Sequence, residues 1–90
     1  MNRSALIKKI NKALPEAEAV DASEFYGDDT DGIWFKGSED TASDGFHIFD
    51  YYEEFTQDTM GIHPVLSKIL DEAGWHGEPY DAGTLMAWQD

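Results

Sequence analysis

Only eighteen of the ninety residues are Leu, Ile, Val or Phe, and they must build a core in a chain that also carries nineteen Asp and Glu. So low an aliphatic share beside a net charge of -13 lies at the border between folded and disordered composition. Three Trp, four Tyr and three Met move the balance toward folding, because each large aromatic buries roughly 150–250 Å². The expectation is one domain over residues 1–90 with an aromatic-rich interior. Folding at this length removes about 60–68% of the extended-chain surface from water, so that interior is small.

The acidity is unevenly spread. Residues 1–14 hold Arg3, Lys8, Lys9 and Lys12 and no acid, whereas residues 15–90 set Lys36 and Lys68 against all nineteen acids, a charge of -17. A body of that sign repels phosphate and anionic lipid, so direct nucleic-acid binding is not expected. The basic segment reads as a helix lying on the acidic body, or else as an arm reaching another molecule. With no Cys there is no disulfide framework, Cys-ligated metal centre or thiol nucleophile. No apolar run has the roughly 18–20 residues of a membrane span, and the amino terminus lacks a signal core, so a soluble cytoplasmic protein without a cofactor is expected.

Leu6, Ile7, Ile10, Ala13 and Leu14 recur at helical spacing, with Asn2 or Ser4 as cap and Pro15 as stop. Strands are expected near Ala19 to Tyr26, at Ile33 to Lys36 and from Phe46 to about Tyr51, separated by polar loops that each close on Asp-Gly. Asp50 and Glu53 suggest a capping box opening a short helical turn through Gln57, with Gly61 as stop. A further helix starts at Pro64, carries Val65, Leu66, Ile69, Leu70 and Ala73 as its stripe, and has Gly74 just past its end. Trp75 to Asp81 reads as a loop from its Gly and Pro, and Thr84 to Trp88 as a last strand. The predicted fold is a two-layer α+β domain, an antiparallel sheet of about four strands with two helices in the order α-β-β-β-α-β.

Alternation puts Ile33 and Phe35 on one face with Trp34 on the other; Phe46 and Ile48 likewise oppose Phe49 and Tyr51. A second face bearing Trp34, Phe49 and Tyr51 is too apolar for an ordinary wetted surface. Either a helix or the last strand's Met86 and Trp88 cover it, or it is a partner-binding patch rimmed by acids such as Asp29 and Asp31. Asp29-Thr30-Asp31-Gly32 matches the middle of a calcium loop, yet Gly27 and Ser38 stand where that loop needs an acid and a bidentate Glu. A hairpin turn with solvated acids is the simpler account. No two of His47, His63 and His76 have helical ligand spacing; His76, Glu78 and Asp81 make the weak metal candidate, with no metal as the expectation.

Nucleophile-elbow, phosphate-loop and His-Glu-x-x-His patterns are absent from the sequence, so no catalytic residues are assigned. The leading expectation is a small acidic non-enzymatic interaction module that engages a protein with a basic or amphipathic surface. One alternative is a polyanion mimic that occupies the nucleic-acid site of a DNA- or RNA-binding protein. Another is a metal- or carboxylate-dependent enzyme at the Trp75–Asp81 loop. A third account makes the charge an adaptation to salt.

Overall fold

A computed structural model of the protein describes residues 2–52 and 61–90. Its elements are helix α1 (Arg3–Ala13), a 3-10 turn (Pro15–Ala17), strand β1 (Ala19–Asp21), the one-turn helix α2 (Ser23–Tyr26), β2 (Ile33–Phe35), α3 (Pro64–Glu72), β3 (Trp75–Asp81) and β4 (Thr84–Gln89). The strands form one antiparallel sheet in the order β1-β2-β4-β3, and the α+β class stands. No helix among the described residues is long and apolar enough to cross a membrane.

Both long helices start and stop where their local chemistry dictates. The Asn2 side chain accepts from the Ala5 N–H at 2.8 Å, satisfying one of the donors a helix start leaves free. At α3, His63 takes that role: its Nδ1 accepts from the Val65 N–H at 3.1 Å, ahead of Pro64 in the first turn. That bond places the imidazole proton on Nε2, which donates to Asp44 at 2.8 Å. The Phe46 N–H, and then His63, hold the Asp44 carboxyl below the usual carboxylate range.

Leu6 and Ile10 of α1, Leu14 just past its end, and Leu66, Ile69 and Leu70 of α3 face the sheet and meet Ile33, Phe35, Leu85, Ala87 and Trp75. Fully burying each such aliphatic side chain contributes about 1.5–3 kcal/mol. This corrects the expectation of an aromatic-rich interior. Among the described residues the largest fully buried side chains are Phe35, Met86 and seven Leu or Ile, while Trp34, Trp88 and Tyr80 lie elsewhere. Indole and phenol carry polar tips, which favour half-wet positions over the dry layer beneath a helix. Trp75 departs from that rule, since its buried Nε1 has no hydrogen-bond partner among the described residues.

Three strand boundaries differ from the periodicity reading. The first strand ends at Asp21 because its partner begins at Ile33; the Ala22 N–H closes the loop onto Gly32 O, and residues 23–26 coil into α2 instead of extending to Tyr26. The stretch from Phe46 to Tyr51 is not a strand of the sheet. It makes isolated bridges, Thr41 to His47 and Phe49 to Ile62, while β4 occupies the place beside β2. The segment read as a loop is β3, so the third strand follows α3, and the order runs α-β-α-β-α-β-β in place of α-β-β-β-α-β. Most of the short helix expected from Asp50 to Gln57 lies outside the described residues.

β3 tolerates its Gly and Pro for specific reasons. The Ser38 hydroxyl donates to Phe35 O and accepts from the Leu85 N–H at 2.9 Å, so Leu85 turns its backbone toward β2. Pro79, opposite Leu85, therefore turns its nitrogen to the free edge, and its missing N–H removes no ladder bond. Gly77 leaves room for the Ile62 side chain, which a Cβ at that position would strike.

Candidate functional site

The sheet face away from α1 and α3 collects the residues that alternation excludes from the core. Register pairs Val20 with Trp34, Trp34 with Met86, Met86 with Glu78, and Trp88 with His76 across the four strands. The short α2 sets Phe25 and Tyr26 over this surface. Phe25 stands 5.1 Å from Trp34 and 5.0 Å from Tyr80, centroid to centroid, and Tyr26 stands 6.3 Å from Tyr80 and 6.4 Å from Trp88. The contacts are tilted or edge-on, the geometry that ring quadrupoles favour. Met86 is buried beneath these rings, whereas Tyr26 and Tyr80 remain 42% and 56% exposed, so the cluster is open at one end.

At that end lies a hollow of about 470 Å³, lined by Tyr26, Glu78, Pro79, Tyr80, Met86 and Trp88. Gly32 helps to shape it. A Cβ there would stand 2.6 Å from the Trp88 ring, so the bare backbone lets the indole pack directly against the turn into β2. The lining offers π faces, a thioether and one carboxylate, a set suited to cations and apolar stems. Lys36 already places its ammonium 5.9 Å from the Trp34 ring centroid on the same sheet face.

Beside the hollow, His76 is held between two carboxylates. Its Nδ1 lies 2.5 Å from Asp90 Oδ1 and its Nε2 3.6 Å from Glu78 Oε2. The hydrogen bond to Asp90, with that residue's charge and then Glu78, raises the imidazole pKa above its ordinary value. The metal candidate of His76, Glu78 and Asp81 does not assemble. Asp81 accepts from the Gly83 N–H in the hairpin turn, and no group of three ligating side chains forms among the described residues.

The predicted patch of Trp34, Phe49 and Tyr51 is not one surface. Phe49 is buried in the core with Ile33 and Phe35, because its segment crosses the helix-covered side and does not extend the sheet. Tyr51 is exposed, and its ring meets Phe49 at 6.5 Å and Tyr52 at 5.3 Å, both edge-on, so the structure brings Phe49 and Tyr51 of the predicted set together. Asp29 and Asp31 are exposed in the loop before β2, and Asp31 borders a separate hollow with Asn2, Arg3, Trp75 and Gln89. Trp34 alone of that set belongs to the aromatic face; Phe25, Tyr26 and Tyr80 were missed. The shared parity of Met86 and Trp88 was the available signal for this face, and alternation of His76, Glu78 and Tyr80 through the Gly-Pro segment would have completed it.

Arg3 ties the basic helix to the acidic body. Its Nε lies 3.1 Å from Asp21, and its Nη1 donates to Thr30 O at 2.8 Å and Gly32 O at 3.3 Å. Asn11 adds a second tie, exchanging hydrogen bonds with both backbone groups of Ala19 at 2.9 and 2.8 Å. Lys8, Lys9 and Lys12 stay exposed. Comparison with protein-family models, curated proteins and solved structures finds no match to this chain.

Proposed function

We propose that the protein is a small non-enzymatic interaction module of the cytoplasm that engages a partner protein with a basic or amphipathic surface. The observation that carries this reading is the open aromatic cluster of Phe25, Tyr26, Trp34, Tyr80 and Trp88 on a body whose residues 15–90 have a charge of -17. Exposed aromatics with a polar rim are the anchor type that dominates binding energy at protein interfaces. The surrounding carboxylates speed encounter with a positive partner and repel nucleic acid. The charge is also larger than the magnitude of roughly 2–8 that solubility asks of a small domain. Asp29 and Asp31 act through the field in this reading, and Trp34 with the rings around it supplies contact.

Capture from source-cell extract tests the proposal, with wild type and a Tyr26→Ser/Tyr80→Ser variant as baits at low and high salt. A partner retained by wild type at low salt, and lost both in high salt and by the variant, supports it. No partner at low salt refutes the module, and equal capture by both baits refutes the aromatic face as its contact.

A further inference from the structure

We propose that the hollow between Tyr26, Tyr80 and Trp88 receives the guanidinium of an arginine side chain on the partner, with Glu78 as its counter-charge; this rests on the interaction-module reading and names its anchor. A volume of about 470 Å³ admits one long side chain with its adjoining backbone. Tyr26 stands 6.3 Å from Tyr80 and 6.4 Å from Trp88, so a planar group entering beside Tyr26 meets ring surface on two further sides. Ring faces attract cations within about 6 Å of the centroid. Lys36 satisfies Trp34 in this way, and among the described residues no lysine or arginine stands over Tyr26, Tyr80 or Trp88.

Arginine fits this chemistry better than lysine. Its guanidinium is flat, weakly hydrated and able to stack on an aromatic face while its edge forms two hydrogen bonds to a carboxylate. Glu78 is at the lip, 62% exposed, and its contact with His76 at 3.6 Å engages Oε2, which leaves Oε1 to offer. An ammonium must give up a tighter hydration shell for the same contacts. The anionic body supplies the long-range attraction, and the hollow selects which cation stays.

The test uses the full chain and three Gly/Ser peptides of one length, carrying arginine, citrulline or lysine at the same positions. Citrulline keeps the planar end group and lacks its charge. Titrations at low salt follow the indole N–H resonances of Trp34 and Trp88. The arginine peptide is expected to shift the Trp88 signal and to bind at least about tenfold more tightly than the citrulline peptide and about threefold more tightly than the lysine peptide. Tyr80→Ala and Glu78→Gln, both at exposed positions that leave the core intact, should each weaken it about twofold to fivefold.

Equal arginine affinity in wild type and both variants overturns the hollow as the site while leaving an acidic interaction module standing. Equal binding of arginine and citrulline peptides overturns the cation assignment. Failure of the arginine peptide to bind also overturns it, and capture of a partner from extract then shows whether the broader reading survives.

Discussion

Arg3→Gln asks whether the basic helix is part of the fold or an arm lying against it. The substitution removes the guanidinium bonds to Thr30 O at 2.8 Å and Gly32 O at 3.3 Å and the ion pair with Asp21 at 3.1 Å. A buried bond to a charged group contributes about 1.5–3 kcal/mol, but this side chain is 32% exposed, and the 3.3 Å bond is weak. The half-exposed ion pair adds about 0.2–1 kcal/mol. The expected loss is therefore about 2 kcal/mol, or about 8–16 °C in Tm for a domain of this size. Thermal unfolding followed by near-ultraviolet circular dichroism measures it, at low and at high salt. Lys9→Gln makes the same charge change at an exposed position and should stay within about 0.5 kcal/mol of wild type. Salt screens the Asp21 share, so the difference between wild type and Arg3→Gln should shrink but not vanish. Arg3→Lys keeps the charge without the fork and should recover less than half of the loss. An Arg3→Gln midpoint within about 2 °C of wild type would refute the clamp and leave α1 held by its buried Leu6 and Ile10 and by the Asn11 bonds to Ala19.

Two other outcomes follow from single hydrogen bonds. Ser38→Ala leaves the buried Leu85 N–H and Phe35 O without the hydroxyl between them, and should cost about 1–3 kcal/mol in chemical denaturation; an unchanged midpoint would mean that the strands close directly. The raised pKa of His76 contributes stability that is full below its unfolded value of about 6.5 and is lost as pH rises through the folded one. Asp90→Asn should lower the His76 midpoint in an NMR titration and flatten that part of the stability profile; an unchanged midpoint would dismiss Asp90 as the cause.

Much of the fold was legible because it depends on local chemistry. Asn2, Pro15, Pro64 and Gly74 bracket helices whose apolar stripes repeat at three and four residues, and the Asp-Gly pair before Ile33 precedes a real strand. What was not legible depends on which way a backbone group points. Pro79 argues against a strand only if its nitrogen faces a neighbour, and that orientation is set at Leu85 by Ser38, which is remote in sequence. Phe46 to Tyr51 alternates like a strand, yet Ile48 donates to Asp40 and accepts from His63, and Phe49 donates to Ser38. Such divided pairing leaves no trace in hydrophobic period. The aromatic face was half visible, since Trp34, Met86 and Trp88 have the parity, while Phe25 and Tyr26 reach it through a helix of four residues. A segment that short has no periodicity to read.

The tie between Asn11 and Ala19 has a consequence at the margin of the sheet. β1 is an edge strand, and at Ala19 the outward N–H and C=O are both taken by one side-chain amide. β3 is the other edge, where Pro79 offers no donor and the pairing slips before Asp81. Among the described residues neither margin offers an unbroken template for another extended chain, which works against stacking into fibrils and against recognition by strand addition. Both margins thus turn an approaching extended chain away from the edges and toward the faces of the sheet, where Tyr26 and Tyr80 stand exposed.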